Sequence, residues 1–223
     1  MVNIENWKHI TEELARKNVT LIAVSKTKPA TDIQELYNAG QRDFGENYVQ
    51  ELIEKQPALP QDIRWHFIGH LQSNKVKYIA PFVHLVHGID NLKLLQEVNK
   101  QAAKHSRVID VLLQFYIAEE ESKFGMDETE IRDCIAAATS LPNIRIRGLM
   151  GMATNTDNLD QVGKEFHRLT SFFDTLKTTF FSNNSYFDTR SMGMSGDYAL
   201  AIAQGSNMVR IGSLLFGART YNK

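Results

Sequence analysis

Leu21-Ile22-Ala23-Val24 runs into Ser25-Lys26-Thr27-Lys28-Pro29 and then into Asp32-Ile33-Gln34-Glu35-Leu36-Tyr37-Asn38-Ala39-Gly40. The first four residues are a short apolar run of strand type, and the last nine carry apolar side chains at helical spacing and end on a glycine. The same alternation continues down the chain. Strands are read at 43–45, 65–68, 85–87, 108–115, 144–149, 186–189 and 208–211, and helices at 49–55, 73–79, 91–104, 128–138, 159–176 and 198–204. An amphipathic segment at 5–17, within a leading stretch 1–18, precedes the first strand. Strands separated by helices of this length are not hairpins, so the sheet is expected to be parallel with right-handed crossovers. Eight such units predict an α/β fold of one (β/α)8 TIM barrel occupying residues 1–223. The competing open, doubly wound sheet would carry Gly-x-Gly-x-x-Gly after its first strand, and none is present.

Composition narrows the function classes. Of 223 residues, 25 are basic and 26 acidic, a formal net charge of −1, so neither a basic nucleic-acid face nor an acidic tail is expected. Cys134 is the lone cysteine; it can form no internal disulfide or zinc cluster, and a reducing, cytoplasmic compartment fits. Acidic and amide side chains at Asn3, Glu5 and Asn6 argue against a secretory signal, and no apolar run is long enough for a membrane helix. The histidines form no His-x-x-x-His spacing with an acidic partner, so no metal is expected.

In a parallel barrel the active site collects where the strands end, so the residues leaving each strand carry the chemistry. Lys26 follows the first strand directly. At the mouth, with its stem packed and its amine desolvated, it could attack a carbonyl and form a Schiff base; in isolation the segment reads as an ordinary loop lysine. Asn47, after the second strand, can cap the next helix or turn its amide to a ligand, capping being the expectation from the segment alone. His66 alternates with Phe67 and faces the other way, as a hydrogen-bonded core histidine would. At the carboxyl end, Ser191-Met192-Gly193-Met194-Ser195-Gly196-Asp197 is read as the loop after strand seven, and Arg210-Ile211-Gly212-Ser213 as the close of strand eight with a short helix starting at Gly212-Ser213. Loops of this kind expose N–H groups and a hydroxyl to a phosphate, and phosphate sites after strands seven and eight recur in this barrel. An aldehyde that also carries a phosphate, pyridoxal phosphate above all, would satisfy both halves; a sugar phosphate carbonyl is the competing ligand.

Ala23-Val24-Ser25-Lys26-Thr27-Lys28-Pro29, Phe44-Gly45-Glu46-Asn47-Tyr48-Val49-Gln50-Glu51, the run from Trp65 to Lys75, Gly148-Leu149-Met150-Gly151-Met152, and Ser191-Met192-Gly193-Met194-Ser195 with Val209-Arg210-Ile211-Gly212 together resemble the pyridoxal phosphate homeostasis protein family. The resemblance implies a barrel like the amino-terminal domain of alanine racemase, with pyridoxal phosphate (PLP) held by Lys26 as a Schiff base. It implies that Ser195, Gly196, Gly212 and Ser213 hold the phosphate, that Arg210 approaches the pyridine nitrogen, and that Asn47 lines the ring pocket. Lys28 is implied as a second amine near the site, with Tyr48, His66 and Met150 also close by. One departure is Tyr116, where an asparagine is expected, although Lys123-Phe124-Gly125 keeps its spacing.

Arginine rather than a carboxylate at the ring nitrogen disfavours a proton there and weakens the ring as an electron sink. Racemases of this fold draw a second catalytic group from a further domain of a partner subunit, and a chain ending at residue 223 is not expected to supply one. The expectation is therefore a monomeric, non-catalytic carrier that serves vitamin B6 homeostasis and passes PLP to apoenzymes. The alternative is a monomeric amino-acid racemase with one lysine acting alone or with Lys28 and Tyr48 as proton relays; an aldolase-like barrel acting on a sugar phosphate ranks behind both.

Overall fold

The computed structural model of the chain describes residues 2–119 and 124–217. Eight strands, β1 Thr20–Val24, β2 Asp43–Glu46, β3 Arg64–Phe67, β4 Leu85–Ile89, β5 Ile109–Gln114, β6 Ile144–Met150, β7 Thr189–Met194 and β8 Met208–Ile211, close in sequence order into a barrel. Every pairing is parallel, and the ring closes with Ile22 of β1 opposite Arg210 of β8. Helices α1 Ile4–Arg16, α2 Ala30–Asn38, α3 Val49–Lys55, α4 Val76–Ile79, α5 Leu92–Lys104, α6 Glu128–Ala138, α7 Leu159–Phe180, α8 Tyr198–Ala203 and α9 Ser213–Phe216 flank and connect them.

Their starts follow from the local sequence. Asn91 caps α5 by accepting from the Leu94 N–H, and Asp127 and Glu130 form a reciprocal capping box at α6. No described helix is long and apolar enough to cross a membrane.

Strand alternation splits the interior into two unlike spaces. Phe44, Phe67, Val111, Leu113, Leu149 and Val209 join helix residues such as Ile33, Leu36, Leu52 and Phe166 in one large apolar core between sheet and helices. Inside the barrel lies a small apolar cluster, Leu85, Leu112 and Met150, with Met152 and Met208 against it. Much of the remaining interior is polar, including His66, His87, Ser191 and Arg210, all buried.

The seventh strand differs from the expectation of 186–189. It begins at Thr189 and runs through Ser191-Met192-Gly193 to Met194, residues read from sequence as a loop. The barrel interior here takes hydroxyl and guanidinium groups, so Ser191 breaks the apolar alternation that would have marked a strand. Gly148 in β6 fits the same region: its φ is +152°, and a Cβ there would lie 1.9 Å from the Thr189 carbonyl oxygen. Only glycine allows β6 to approach β7 at that point.

Candidate functional site

A cavity of about 280 Å³ opens at the carboxyl ends of the strands. Its lining brings together Lys26 and Lys28 after β1, Asn47 after β2, Ser195 and Gly196 after β7, Arg210 of β8, and Gly212 and Ser213 at the start of α9. Residues as far apart in sequence as Lys26 and Ser213 meet because β8 lies beside β1.

The loop bearing Lys26 is held from below by a buried ionic cluster. The Lys55 ammonium lies 2.8 Å from Glu46 Oε1, 2.8 Å from Glu51 Oε2 and 3.0 Å from the Ser25 carbonyl oxygen. The Ser25 hydroxyl donates to Glu46 at 2.7 Å, and the Thr27 N–H donates to Glu51 at 2.7 Å. Both neighbours of Lys26 are thus anchored, and Thr27 is kept at φ +64°, a conformation unfavourable for a β-branched residue. Glu46 is fully buried, and burial pushes its carboxyl pKa up against the opposing pull of Lys55.

Lys28 donates to the Phe216 carbonyl oxygen at 2.7 Å, tying this loop to the end of α9. On the other wall the Gly212 N–H donates to Ser195 Oγ at 3.2 Å. Around Gly196 there is open space, since an added Cβ would meet nothing within 4 Å. Asn47 does not cap α3, whose N-cap is Tyr48 with no side-chain bond. Its Oδ1 is instead buried without a hydrogen-bond partner. Gly69 allows that placement, because a Cβ there would lie 2.4 Å from the Asn47 carbonyl oxygen.

Arg210 is 4% exposed and donates to Ser191 Oγ at 2.7 Å and to the Gly151 carbonyl oxygen at 3.1 Å. Among the described residues it forms no salt bridge. Burial pulls its guanidinium pKa down to about 10, with Asp197 acting the other way, so it stays charged at neutral pH.

Three residues placed near the site by sequence lie elsewhere. Tyr48 lines a neighbouring cavity with His70, Lys75 and Tyr78. His66 borders a pocket with Asp43, Arg64 and His84, residues at the amino-terminal ends of their strands. Met150 is sealed in the barrel interior, and Met152, on the same face two residues further on, takes the place at the mouth. Sequence reasoning also missed Val24, Ile68, Met194 and Phe216, which complete the apolar part of the wall. Period-two alternation from Ile22 and His66 would have found the first two. Tyr116 lies at the end of β5 beside Gly125, and Lys123 lies outside the described residues.

A mixed set of one guanidinium, two lysines, an orphaned amide oxygen and hydroxyl and N–H donors around open space fits a ligand with a carbonyl, a ring and an anionic group. Among the described residues no three His, Cys, Asp or Glu side chains group to hold a metal ion.

The family profile described as "Alanine racemase, N-terminal domain" matches residues 4–220. The chain is 41% identical to the pyridoxal phosphate homeostasis protein of Pasteurella multocida, over 98% of this chain and 95% of that one. It is 42% identical to the protein of that name from Escherichia coli K12, over 93% and 88%. Among solved structures it resembles PipY of Synechococcus elongatus, without PLP at a TM-score of 0.90 and with PLP bound at 0.87, each at 34% identity over 96% of this chain and 99% of that one. Alanine racemase of Bartonella henselae shares the fold at a TM-score of 0.70 and 16% identity, over 96% of this chain and 61% of its own.

Proposed function

Because the chain belongs to the alanine racemase N-terminal domain family and, within it, to the pyridoxal phosphate homeostasis proteins, we propose that it binds PLP and keeps it available to the cell without carrying out catalysis. The observation that carries this reading is the meeting of Lys26, Arg210 and the Ser195-Gly196 and Gly212-Ser213 turns on one cavity.

When bound, PLP supplies an aldehyde open to attack by an amine, a pyridine ring and a phosphate. Lys26 is the residue that holds the aldehyde carbon. Its loop needs no ordering on binding, because Lys55 and Glu51 already fix both flanking residues. Ser195, Gly196, Gly212 and Ser213 bind the phosphate, and Asn47 offers its unpaired Oδ1 to the ring edge. Arg210 would hold the ring nitrogen and, being charged, would disfavour a proton there, which weakens the ring as an electron sink. Lys28 is a neighbouring amine on the same wall, bonded to Phe216, and is suited to assist entry and exit of the aldehyde.

The balance between carrier and racemase rests on proton transfer. Racemisation needs acid and base groups on both faces of a substrate, and Tyr48, the proposed partner, lines a different cavity. Gly196, Ser213 and Gly217 are exposed at the mouth, which favours exchange over water exclusion. We read the chain as a single barrel domain, 1–223 with a leading 1–18 segment, acting as a cytoplasmic monomer that passes PLP to apoenzymes.

Borohydride reduction after incubation with PLP is expected to fix the cofactor to Lys26 by peptide mass mapping and to leave a Lys26→Ala variant unlabelled. Labelling at another lysine, or none, overturns the reading. Single L-amino acids incubated with the PLP-loaded protein in deuterium oxide are expected to keep their α-proton by NMR. Exchange at enzymatic rates would replace the carrier with a racemase.

A further inference from the structure

Among the described residues the Arg210 guanidinium pairs with no carboxylate in a salt bridge, yet it begins an unbroken line of buried polar groups across the barrel. Arg210 Nη1 lies 2.7 Å from Ser191 Oγ, and Ser191 Oγ lies 3.0 Å from His87 Nδ1. His87 Nε2 lies 3.0 Å from His66 Nδ1, and His66 Nε2 lies 3.0 Å from Asp43 Oδ1. Ser191 and His87 are fully buried and His66 is 1% exposed. The line crosses five strands, β8, β7, β4, β3 and β2, and ends where Arg64 donates its Nε to Asp43 at 2.7 Å.

With His66 neutral, the two ends fix the direction of every bond between them. A guanidinium only donates and a carboxylate only accepts. Asp43 is held ionised, its pKa lowered by bonds from Arg64 and His66 that outweigh its burial. His66 must therefore present Nε2–H to Asp43, and, when neutral, its Nδ1 accepts from His87 Nε2–H. That leaves His87 Nδ1 to accept the Ser191 hydroxyl proton, and Ser191 Oγ to accept from Arg210. The opposite tautomer of His87 would force either two lone pairs into contact or a second proton onto His66. Arg64, His84 and Arg210 all oppose extra positive charge in this line, and Asp43 favours it.

We propose that Ser191, His87 and His66 form a one-directional hydrogen-bond chain that orients Arg210 at the cavity and couples its charge to Asp43 at the far end of the barrel. His87 and Ser191 are then positioning residues: they touch no cofactor atom and act through Arg210. Aligned donors polarise one another in a low-dielectric interior, so the chain stands in for a carboxylate that would otherwise occupy cofactor space. The role assigned to Arg210 rests on the PLP reading above, but the chain itself does not.

Long-range proton–nitrogen NMR of the protein without PLP tests the chain directly. The expected result at pH 7 is a neutral Nε2–H tautomer for both His66 and His87. An Nδ1–H tautomer at His87, or a doubly protonated His66, overturns it. Because this arm needs no cofactor, it decides the chain whether or not the protein captures PLP. The positioning role is read from titrations with PLP and with the analogue whose ring nitrogen is replaced by C–H, with folding checked by circular dichroism. Ser191→Ala and His87→Leu are expected to weaken PLP binding about tenfold and to shift its visible band while leaving the analogue unchanged. His87→Asn, which keeps an acceptor for the Ser191 hydroxyl, is expected to restore most of the loss. Equal weakening of both ligands, or no rescue by His87→Asn, overturns the positioning role.

Discussion

Lys55→Met is expected to lower folding stability by about 3 to 5 kcal/mol, the usual cost of removing one partner from a buried ion pair. The methionine fills the stem's space but leaves the fully buried Glu46 facing only the Ser25 hydroxyl, with Oε2 already unpartnered. The same change leaves the Ser25 carbonyl with the Lys28 N–H alone and removes the Lys55 contact on Glu51, loosening the loop that bears Lys26. The sign of the pH dependence follows from Glu46. Its folded pKa is raised above its unfolded value, and further without Lys55, so the stability it contributes is present below about pH 4.5 and lost as pH rises. The variant's deficit should therefore be largest near pH 8 and shrink on acidification, and Glu46→Gln added to Lys55→Met should recover much of it. Urea denaturation of wild type and the two variants measures this; a Lys55→Met protein within about 1 kcal/mol of wild type at pH 8 would show that the cluster is not held by charge. Slower borohydride trapping at Lys26 is the functional counterpart.

The cluster also shows where sequence reading stopped. Strand-helix alternation around Leu21–Val24 carried the barrel, and the adjacency of first and last strands followed from closure, so Lys26 and Arg210 were legible as neighbours. Glu46 and Lys55 were not, because one sits in a strand and the other in a helix that reads as amphipathic, and nothing in spacing says that a helix lysine turns inward. The seventh strand was misplaced for the related reason that Ser191 points into a polar barrel interior, where hydrophobic alternation gives no signal. Met150 was chosen over Met152 because the motif names both while only the strand's length decides which one reaches the mouth. His66 was read correctly as a buried, hydrogen-bonded histidine, but its partners come from β2 and β4, and no local pattern records them.

Those partners imply a second large effect, an acid loss of stability that His87 shares in directly. His87 is fully buried, and burial, then His66 and Arg210, hold its pKa well below 6.5. Below pH 6.5 the unfolded chain takes up a proton at this position that the folded chain refuses, so stability falls on acidification by up to about 1.4 kcal/mol per pH unit. His84, lowered to about 4 chiefly by burial, acts in the same direction but is partly exposed, so solvent screens its share. Glu46 acts in the opposite direction, and Asp43 adds to the loss only at lower pH. These terms are common to wild type and His87→Asn, so the difference between their stability curves isolates His87. Urea midpoints taken from pH 7.5 to 4.5 should fall steeply for wild type and more gently for His87→Asn. Parallel curves would mean that His87 accepts its proton in the folded barrel, with its Nδ1–H then donating to Ser191.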